Sequence, residues 1–466
     1  MPDLGFTTYL SPFTWRYGSS DMRHIFSEEN KYKIWRKIWV ALAQEEFNAG
    51  LLTKKELDDL KKNQNNIDIK KILEIEKETK HDVVAAIKEF SQQAKVGGGK
   101  IHLGATSMDI VDNTDILRMQ EGLNLTEEKL IKTIKLFAKK VEENTDLVCM
   151  GYTHLQTAEP TTIGYRLAFY LQDLLVDLEF LKFVKNTIKA KGLKGAVGTR
   201  ASYKAVLSKS KMTAEQLDNL VMKNLGIESD LISSQTYSRK YDFLVVSVLQ
   251  NISSSLAKFA GDLRILQSPG FGELSEPFGK NQVGSSAMPF KKNPINSEKI
   301  CSLARFVGTL PQILLENAAV SYLERTLDDS ANKRVVIPEA FLAVDEILQT
   351  AEKIIEDLVV NKQRIDFNLK QYAPFSATES ILIEAVKNGA DRQETHELLR
   401  EIAMKAWEVV QKGGQNPMEN FLKKDQNLAK FVSVKKIDEL LDVRNHIGDA
   451  PKRARQLTKK AFSVKK

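Results

Sequence analysis

Proline is absent from two long stretches of this chain, between Pro12 and Pro160 and between Pro160 and Pro269. Proline breaks a helix interior because it lacks a backbone N–H and its ring clashes with the preceding turn. Stretches of this length without proline therefore permit several extended helices. The chain is predicted to be built mainly from long α-helices.

Apolar residues in these stretches recur at helical spacing. One seam in residues 163–185 alternates steps of four and three residues, as in a left-handed bundle, through Leu167, Leu171, Leu174, Leu178 and Leu181. A second seam, in residues 241–266, contains Leu244, Val248, Ile252, Leu256, Phe259 and Leu263. A smaller N-terminal helix is indicated by Ile34, Trp35, Ile38, Trp39 and Leu42. Alternation with period two is scarce, so we predict an all-α fold with a long central bundle (residues 108–360) flanked by smaller helical domains (1–107 and 361–466).

Composition excludes several classes of protein. Apolar residues make up 42% and charged residues 28% of the chain, which suits a protein with a sizeable buried core. No apolar run approaches the roughly 18 residues of a membrane span, and residues 1–10 lack the features of a secretion signal. The only cysteines, Cys149 and Cys301, form no CxxC pair, which argues for a reducing compartment and against a structural zinc site. We expect a cytoplasmic protein with no membrane association.

The net charge of +7 has a local origin. Residues 452–466 contain seven lysines and arginines and no acid, so the rest of the chain balances 61 bases against 61 acids. A short basic end is usually solvated or weakly ordered, and we therefore do not expect nucleic acid as a partner.

Irregular, Gly- or Pro-bearing segments are the places where functional residues are expected. Four such segments lie at Gly97–Asp112, Gly151–Thr162, Ser268–Pro294 and Glu324–Arg334. The third reads Gly-Ser-Ser-Ala-Met-Pro-Phe-Lys-Lys-Asn-Pro over residues 284–294. Its residue types alone leave open whether it is a functional loop or a loop with incidental serines.

This pattern resembles the G-S-S-x-M-P-x-K-x-N-P signature of the fumarase/aspartase superfamily. Members eliminate an amine or hydroxyl β to a carboxylate, and most release fumarate. The resemblance implies that Ser285 is the general base, with Ser286 as the alternative, and that Lys291 and Asn293 stabilise the developing negative charge. A free serine hydroxyl is too weak a base, so its surroundings must lower its pKa.

Within the superfamily, residues 151–162 resemble the T-H-x-Q-x-A-x-x-T-T segment of the adenylosuccinate lyase family. The resemblance makes His154 the general acid that protonates the leaving nitrogen, a step suited to a pKa near neutral. Thr153 is implied to contact the substrate, and Glu298 to pair with the histidine and raise its pKa. Tyr152 stands where many bacterial members have arginine and eukaryotic members an aromatic residue.

Other segments resemble the substrate-contacting parts of this family, in its eukaryotic-type branch. His81, in an H-D-V segment, is implied to bind the substrate and to orient the general acid. Thr106 and Ser107 are implied to bind the succinyl carboxylates, Arg16 and Tyr17 to lie near the phosphate and ribose, and Arg325, Ser330 and Arg334 to contact the AMP portion. Further implied substrate contacts are Lys80, Asp82, Lys299 and Gln235, the last in a resembling segment over residues 235–239. Arginine forks and hydroxyls are the groups expected around a phosphomonoester. Lys299 stands where relatives often have arginine, which keeps the charge and loses the bidentate fork.

The resemblance runs from about Leu10 to about Asp442. It implies a carbon–nitrogen lyase of purine biosynthesis that splits fumarate from adenylosuccinate and from SAICAR, without a cofactor or metal. It also implies a homotetramer in which each active site draws on three subunits. The alternatives are another lyase or cycloisomerase of the superfamily, which should lack the Arg325–Arg334 segment, and a non-catalytic structural or nucleic-acid-binding protein, which should have lost Ser285 or His154.

Overall fold

The computed structural model describes Gly5 and residues 7–465. Most described residues are helical, so the all-α fold class is confirmed. In chain order the helices are α1 (Ser20–Ile25), α2 (Glu28–Asn48), α3 (Lys54–Asn63), α4 (Ile69–Thr79), α5 (Asp82–Gln93), α6 (Ser107–Glu143), α7 (Ile163–Thr187), α8 (Ala201–Val206), α9 (Ala214–Leu225), α10 (Lys240–Gln267), α11 (Ile295–Val320), α12 (Ser330–Glu356), α13 (Lys362–Ser376), α14 (Thr378–Lys387), α15 (Arg392–Gln411), α16 (Met418–Lys424), α17 (Val434–Leu441) and α18 (Ala450–Ser463). Single 3-10 turns lie at Pro12–Thr14, Gly98–Lys100, Leu428–Lys430 and Val443–His446.

The strands among residues 7–465 are short and form two antiparallel pairs. Strand β1 (Val148–Thr153) pairs with β2 (Gln156–Thr162), and β3 (Leu274–Ser275) pairs with β4 (Val359–Val360). The irregular segment Gly151–Thr162 is therefore mostly a β-hairpin, whose closing pair is Thr153 and Gln156.

The chain divides into two compact units. The first comprises the described residues up to Lys129 together with Asp177–Ser254 and Ser302–Leu348. The second comprises Leu130–Val176, Ser255–Cys301 and the described residues from Gln349 onward. The division at residues 107 and 360 that the sequence suggests stays a prediction.

The helices that the sequence predicted are present with nearly the expected bounds. Helix α2 begins at Glu28 because the Ser27 side chain accepts a hydrogen bond from the backbone N–H of Asn30. Its predicted face is buried, with Trp35 at 1% and Trp39 at 2% exposure. The α7 seam is buried throughout, and the α10 seam is buried apart from partly exposed Leu244. Pro311 and Pro338 lie inside α11 and α12, so proline does not end every helix of this chain.

Helix α10 is long and apolar enough, by length and composition alone, to cross a membrane. Its most apolar window has a mean hydropathy of 1.3, and 50% of that window is buried inside the structure. Core helices of soluble proteins pass the same test. The helix also carries Asp242, which is 1% exposed and hydrogen-bonded, and the Lys258–Asp262 ion pair. We therefore interpret α10 as a core helix.

The C-terminal part of the second unit has its own apolar core. Helices α14–α17 bury a cluster that includes Ile381, Leu382, Ala406, Leu422 and Ile437. The basic end of the chain is helical as far as Ser463, which corrects the expectation of a weakly ordered tail. Helix α18 buries Ala454 and Ala461, and Arg455 forms an ion pair with Asp146. Packing on one face thus orders a helix whose other face carries the cations.

Candidate active site

The first unit contains a cavity of about 880 Å³ that gathers many of the residues predicted to contact a substrate. A volume of this size accommodates a nucleotide-sized ligand. The predicted residues that line it are Lys80, His81, Asp82, Thr106, Ser107, Gln235, Arg325, Ser330 and Arg334. They come from four segments that are distant in sequence, so their convergence is a property of the tertiary structure.

Residues 80–82 reach the cavity because they form the junction between α4 and α5. Lys80 ends α4 in the left-handed conformation, with φ 53°, and His81 caps the N-terminus of α5. The Nδ1 atom of His81 lies 3.4 Å from the backbone nitrogen of Val84. When Nδ1 accepts this N–H, Nε2 is the ring nitrogen left to contact a ligand. One carboxylate oxygen of Asp82 lies 3.7 Å from Nη2 of Arg334.

Thr106 and Ser107 stand at the start of α6. The first N–H groups of a long helix attract anions because they are unpaired and the helix dipole is positive at that end. Asp109 fixes this terminus from inside: it is fully buried and accepts hydrogen bonds from the Thr106 backbone at 3.0 Å and from the Tyr203 hydroxyl at 3.0 Å. Lys191 forms a buried ion pair with the same carboxylate. The position fits the predicted role in binding a carboxylate.

A buried ion network holds Arg325. Its Nη1 donates to Asp329 at 2.7 Å, and the second oxygen of Asp329 accepts from Nε of Arg239 at 2.5 Å. Arg239 also forms a two-pronged contact with Asp112, at 3.0 and 3.1 Å. Asp112, Asp329 and Arg239 are at most 4% exposed. None of these three residues was predicted to contact the substrate, although Asp329 and Arg239 belong to segments that resemble the family.

A second part of the network surrounds Lys333. Its ammonium donates to the Tyr237 hydroxyl at 2.7 Å and lies 2.9 Å from Asp115. Burial alone would lower the pKa of Lys333, but Asp115, Asp242 and Asp112 raise it above its ordinary value, so the side chain is a cation. Sequence reasoning missed Lys333 and Asp115, although both line the cavity. A lysine between two predicted substrate residues, Ser330 and Arg334, was the available signal.

His102, in the same segment as Thr106, is a structural residue. Its Nδ1 accepts a hydrogen bond from the indole Nε1 of Trp39 at 3.1 Å. Burial lowers the pKa of His102 to about 4, so the ring is neutral at physiological pH. Arg16 and Tyr17 lie just after the 3-10 turn Pro12–Thr14 and are not among the residues that line the cavity.

In the second unit, His154 lies at the tip of the β1–β2 hairpin. His154 and Leu155 have φ values of 53° and 59°, so both residues of the two-residue turn are left-handed. The imidazole and the side chain of the preceding Thr153 are exposed. A non-glycine residue in this conformation is uncommon, and such strain often marks functional sites.

Ser285 lies in the loop between β3 and α11. Its Oγ accepts hydrogen bonds from the backbone N–H groups of Ala287, at 3.3 Å, and Met288, at 3.1 Å. Such donors stabilise an oxyanion, which is what a serine needs in order to act as a base. Asn293 closes the loop by donating to the Gly284 carbonyl at 2.8 Å. The predicted Lys291 is exposed in the same loop.

Glu298 and Lys299 lie on the first turn of α11. Glu298 is exposed, and among the described residues no ion pair joins it to His154 within the chain. The pairing of these two residues stays a prediction. Across the described residues, no group of three or more His, Cys, Asp and Glu side chains is placed to hold a metal ion.

Comparisons with known proteins cover almost the whole chain. A lyase family model matches residues 16–308, and a model described as adenylosuccinate lyase C-terminus matches residues 374–457. Adenylosuccinate lyase of Schistosoma mansoni is 39% identical over 96% of this chain and 93% of its own length. The Saccharomyces cerevisiae enzyme is 36% identical over 99% of this chain and 95% of its own. The chain belongs to the adenylosuccinate lyase family.

Solved structures agree on the fold. Fumarate lyase from Mesorhizobium sp. BNC1 superposes with a TM-score of 0.83 and covers 97% of this chain and 99% of its own, at 22% identity. A 3-carboxy-cis,cis-muconate lactonizing enzyme from Pseudomonas putida gives 0.85 over 97% and 99%, at 23% identity. At these identities the likeness establishes the helical-bundle fold alone.

Membership of the adenylosuccinate lyase family extends further than the sequence motifs indicated. The motif resemblance ends near Asp442, whereas the C-terminal family model reaches residue 457, inside α18. The C-terminal family model therefore covers α18 as far as residue 457. Within this framework the structure brings nine predicted substrate residues to one cavity of the first unit, and it places His154 and Ser285 in the second unit.

Proposed function

We propose that this member of the adenylosuccinate lyase family splits fumarate from adenylosuccinate to give AMP, and from SAICAR to give AICAR, in purine nucleotide biosynthesis. The observation that carries the proposal is the convergence of nine predicted substrate contacts in one cavity of about 880 Å³. Full-length similarity to several enzymes named adenylosuccinate lyase supports it independently.

The proposed reaction begins with proton removal from carbon by Ser285. A C–H group next to a carboxylate is a very weak acid. The serine must therefore act as an alkoxide, and the carbanion must be stabilised as an enediolate. The N–H groups of Ala287 and Met288 that point at the Ser285 oxygen favour its ionised form. Ser286 is exposed and serves as the alternative base. Lys291 and Asn293 are proposed to stabilise the developing carboxylate charge.

His154 is proposed to complete the elimination by donating a proton to the departing nitrogen. Protonation is required because an amine anion is a poor leaving group. The imidazole is exposed at a hairpin tip, where it is accessible to a substrate. Bond cleavage then yields fumarate and the nucleotide product, AMP or AICAR, with the proton from carbon on the serine and the histidine proton on nitrogen.

The cavity in the first unit is proposed to hold the nucleotide. Arg325 is mostly buried, with 12% of its side chain exposed, and is held by Asp329, whereas the Arg334 side chain is 72% exposed and available to a phosphate. Thr106 and Ser107 at the α6 terminus are proposed to bind a succinyl carboxylate. Binding energy from a remote phosphate can orient the reacting carbon as well as hold the ligand.

A spectrophotometric assay tests the function directly. The purified chain should convert adenylosuccinate to AMP and fumarate, and Ser285→Ala should abolish turnover while adenylosuccinate still binds. Ser286→Ala separates the two candidate bases: it should keep activity within about tenfold of wild type, and the reverse pattern would assign the role to Ser286. Turnover of argininosuccinate or of a muconate lactone, with indifference to adenylosuccinate, would refute the proposed substrate.

The proposal includes a cytoplasmic homotetramer with active sites shared between subunits. Phe169, Val176 and Phe183 recur every seven residues on α7 and are 56%, 60% and 57% exposed. Apolar residues at this spacing suit a left-handed helical bundle with another chain. Mixing inactive Ser285→Ala and His154→Ala proteins should restore activity as subunits exchange. No recovery despite demonstrated exchange would show that one chain supplies both residues.

A further inference from the structure

Tyr152 lies two residues before His154 on β1 and is tied to the interior of the second unit. Its hydroxyl donates to Oε1 of Glu273 at 2.9 Å, and its ring packs edge-on against Phe271 with centroids 4.9 Å apart. Burial, and then the neighbouring Glu273 carboxylate, raise the pKa of Tyr152 far above its ordinary value. The hydroxyl therefore stays protonated and remains a donor at any physiological pH.

Glu273 is a fully buried carboxylate that is held from several sides. Arg166 of α7 donates to its Oε2 at 2.9 Å, and Asn368 of α13 donates to its Oε1 at 2.9 Å. The backbone of Glu273 is also engaged, because its carbonyl accepts from the Asn361 N–H at 2.9 Å. A carboxylate with this many partners is a fixed point to which the hairpin is attached.

The backbone of the hairpin is also hydrogen-bonded to its surroundings. Arg166 uses its second guanidinium nitrogen to donate to the carbonyl of Met150, also on β1. On the other strand, Ser376 donates to the Ala158 carbonyl at 2.8 Å. These contacts stop short of the tip, where His154 and Leu155 adopt a left-handed turn and have exposed side chains. Tyr152 is the attachment nearest to the imidazole.

Glu273 also begins the short stretch that anchors the loop of the proposed base. Three residues later, Glu276 accepts hydrogen bonds from the backbone and the side chain of Asn296, at 3.2 and 3.1 Å, where α11 starts. Gln267 joins both ends of the loop, accepting from the Glu276 N–H at 3.0 Å and donating to the Lys292 carbonyl at 2.9 Å. One hydrogen-bonded stretch, residues 273–276, thus contacts both the hairpin of His154 and the ends of the loop of Ser285.

We propose that Tyr152 is a positioning residue for the proposed general acid, fastening the His154 hairpin to Glu273 so that the imidazole is held at one place. The inference rests on the proposed function, because it assigns Tyr152 a role through His154. It differs from a role in substrate recognition: the hydroxyl of Tyr152 is already engaged by Glu273. A displacement of about 1 Å in a catalytic group can lower a rate by roughly a hundredfold, so a small hairpin shift is enough.

The test compares Tyr152→Phe with Tyr170→Phe. Tyr170 is a buried tyrosine of the same unit whose hydroxyl donates to Asp262 at 2.6 Å, so its variant also loses one tyrosine–carboxylate bond, away from the hairpin. For each protein we would measure kcat, KM and amide hydrogen exchange of the peptide covering residues 148–162. Tyr152→Phe should lower kcat by roughly tenfold or more with KM within about threefold, and should speed exchange in this peptide by roughly tenfold. Tyr170→Phe should leave all three at wild-type values.

Each contrary result is decisive. Unchanged exchange in residues 148–162 of Tyr152→Phe would show that the Tyr152–Glu273 hydrogen bond does not hold the hairpin. Faster exchange with unchanged kcat would show that this hydrogen bond does not position the acid. Equal changes in kcat and in hydrogen exchange for the two variants would show that Tyr152 contributes to the stability of the second unit and does not position His154 specifically. A wild-type protein that releases no fumarate would refute the proposed function and the catalytic half of this inference, while the exchange data would still decide whether Tyr152 holds the hairpin.

Discussion

Replacing Asp329 by asparagine tests the network that holds the nucleotide cavity. The substitution keeps the shape of the side chain and removes the negative charge between Arg325 and Arg239. Asp329 is 2% exposed, so water cannot reach this position to solvate the guanidinium groups that lose the carboxylate. Arg239 keeps its two-pronged contact with Asp112, whereas Arg325 loses the carboxylate that its Nη1 contacts at 2.7 Å.

The magnitude follows from these contacts. Removing one partner of a buried ion pair costs about 3–5 kcal/mol, and a hydrogen bond to a charged group contributes about 1.5–3 kcal/mol. Asparagine keeps one acceptor oxygen and Arg239 keeps Asp112, so the lower end applies, about 2–3 kcal/mol of folding stability. An Arg325 that is no longer held in place should lower kcat/KM for adenylosuccinate by roughly tenfold, equivalent to about 1.4 kcal/mol.

The loss of stability should depend on pH in a defined direction. Arg239 and Arg325 outweigh burial and lower the pKa of Asp329 below its ordinary value. A carboxylate with a lowered folded-state pKa stabilises the protein above its unfolded-state pKa of about 4, and this stabilisation is lost as the pH falls through the folded-state pKa. The difference between wild type and Asp329→Asn should therefore be constant near neutral pH and shrink in acid.

Urea denaturation at fixed protein concentration measures the stability, and the fumarate assay measures kcat/KM. Asp328→Asn is the matched control, because Asp328 is the exposed neighbour and should tolerate the change. A folded Asp329→Asn protein with wild-type stability and wild-type kcat/KM would refute the argument that Asp329 holds Arg325.

Three further outcomes are expected. Arg334→Ala should lower kcat/KM for adenylosuccinate by at least roughly tenfold, because a charge-assisted contact with the phosphate is lost. It should lower kcat/KM for the dephosphorylated succinyl-nucleoside far less, and equal reductions for the two substrates would show that Arg334 has a structural role. Gly284→Ala should lower kcat by roughly a hundredfold, because a Cβ would lie 1.9 Å from the Lys291 carbonyl oxygen and displace the loop, whereas Gly279→Ala, whose Cβ would meet its nearest atom at 3.7 Å, should be tolerated. The urea concentration at the unfolding midpoint should fall as the pH drops from about 6.5 to 4. In this range His102 binds a proton in the unfolded chain but not in the folded protein, where its pKa is about 4. His102→Gln should weaken this pH dependence, and an unchanged profile would contradict the lowered pKa of His102.

The local structure of this protein follows from short-range features of its sequence. The seam from Leu167 to Leu181 identified α7, which runs from Ile163 to Thr187, and the seam from Leu244 to Leu263 identified α10, which runs from Lys240 to Gln267. Helix formation depends on hydrogen bonds between residues four apart and on a face that repeats every 3.6 residues, so the information lies within the segment itself. Residues 284–294 are likewise a local motif, and their resemblance to the superfamily signature identified the candidate catalytic residues.

Tertiary structure alone decided which of these residues meet and what holds them. Nothing local in the sequence joins Asp112 to Arg239 or Tyr152 to Glu273, which are separated by 127 and 121 residues. Such pairs form because a charge or hydroxyl that packing removes from water must find a partner wherever the folded chain brings one. The hairpin around His154 and the ordered basic helix α18 were not predicted for the same reason. Helix α13 packs against both β1 and β2, and one buried face of α18 orders that helix.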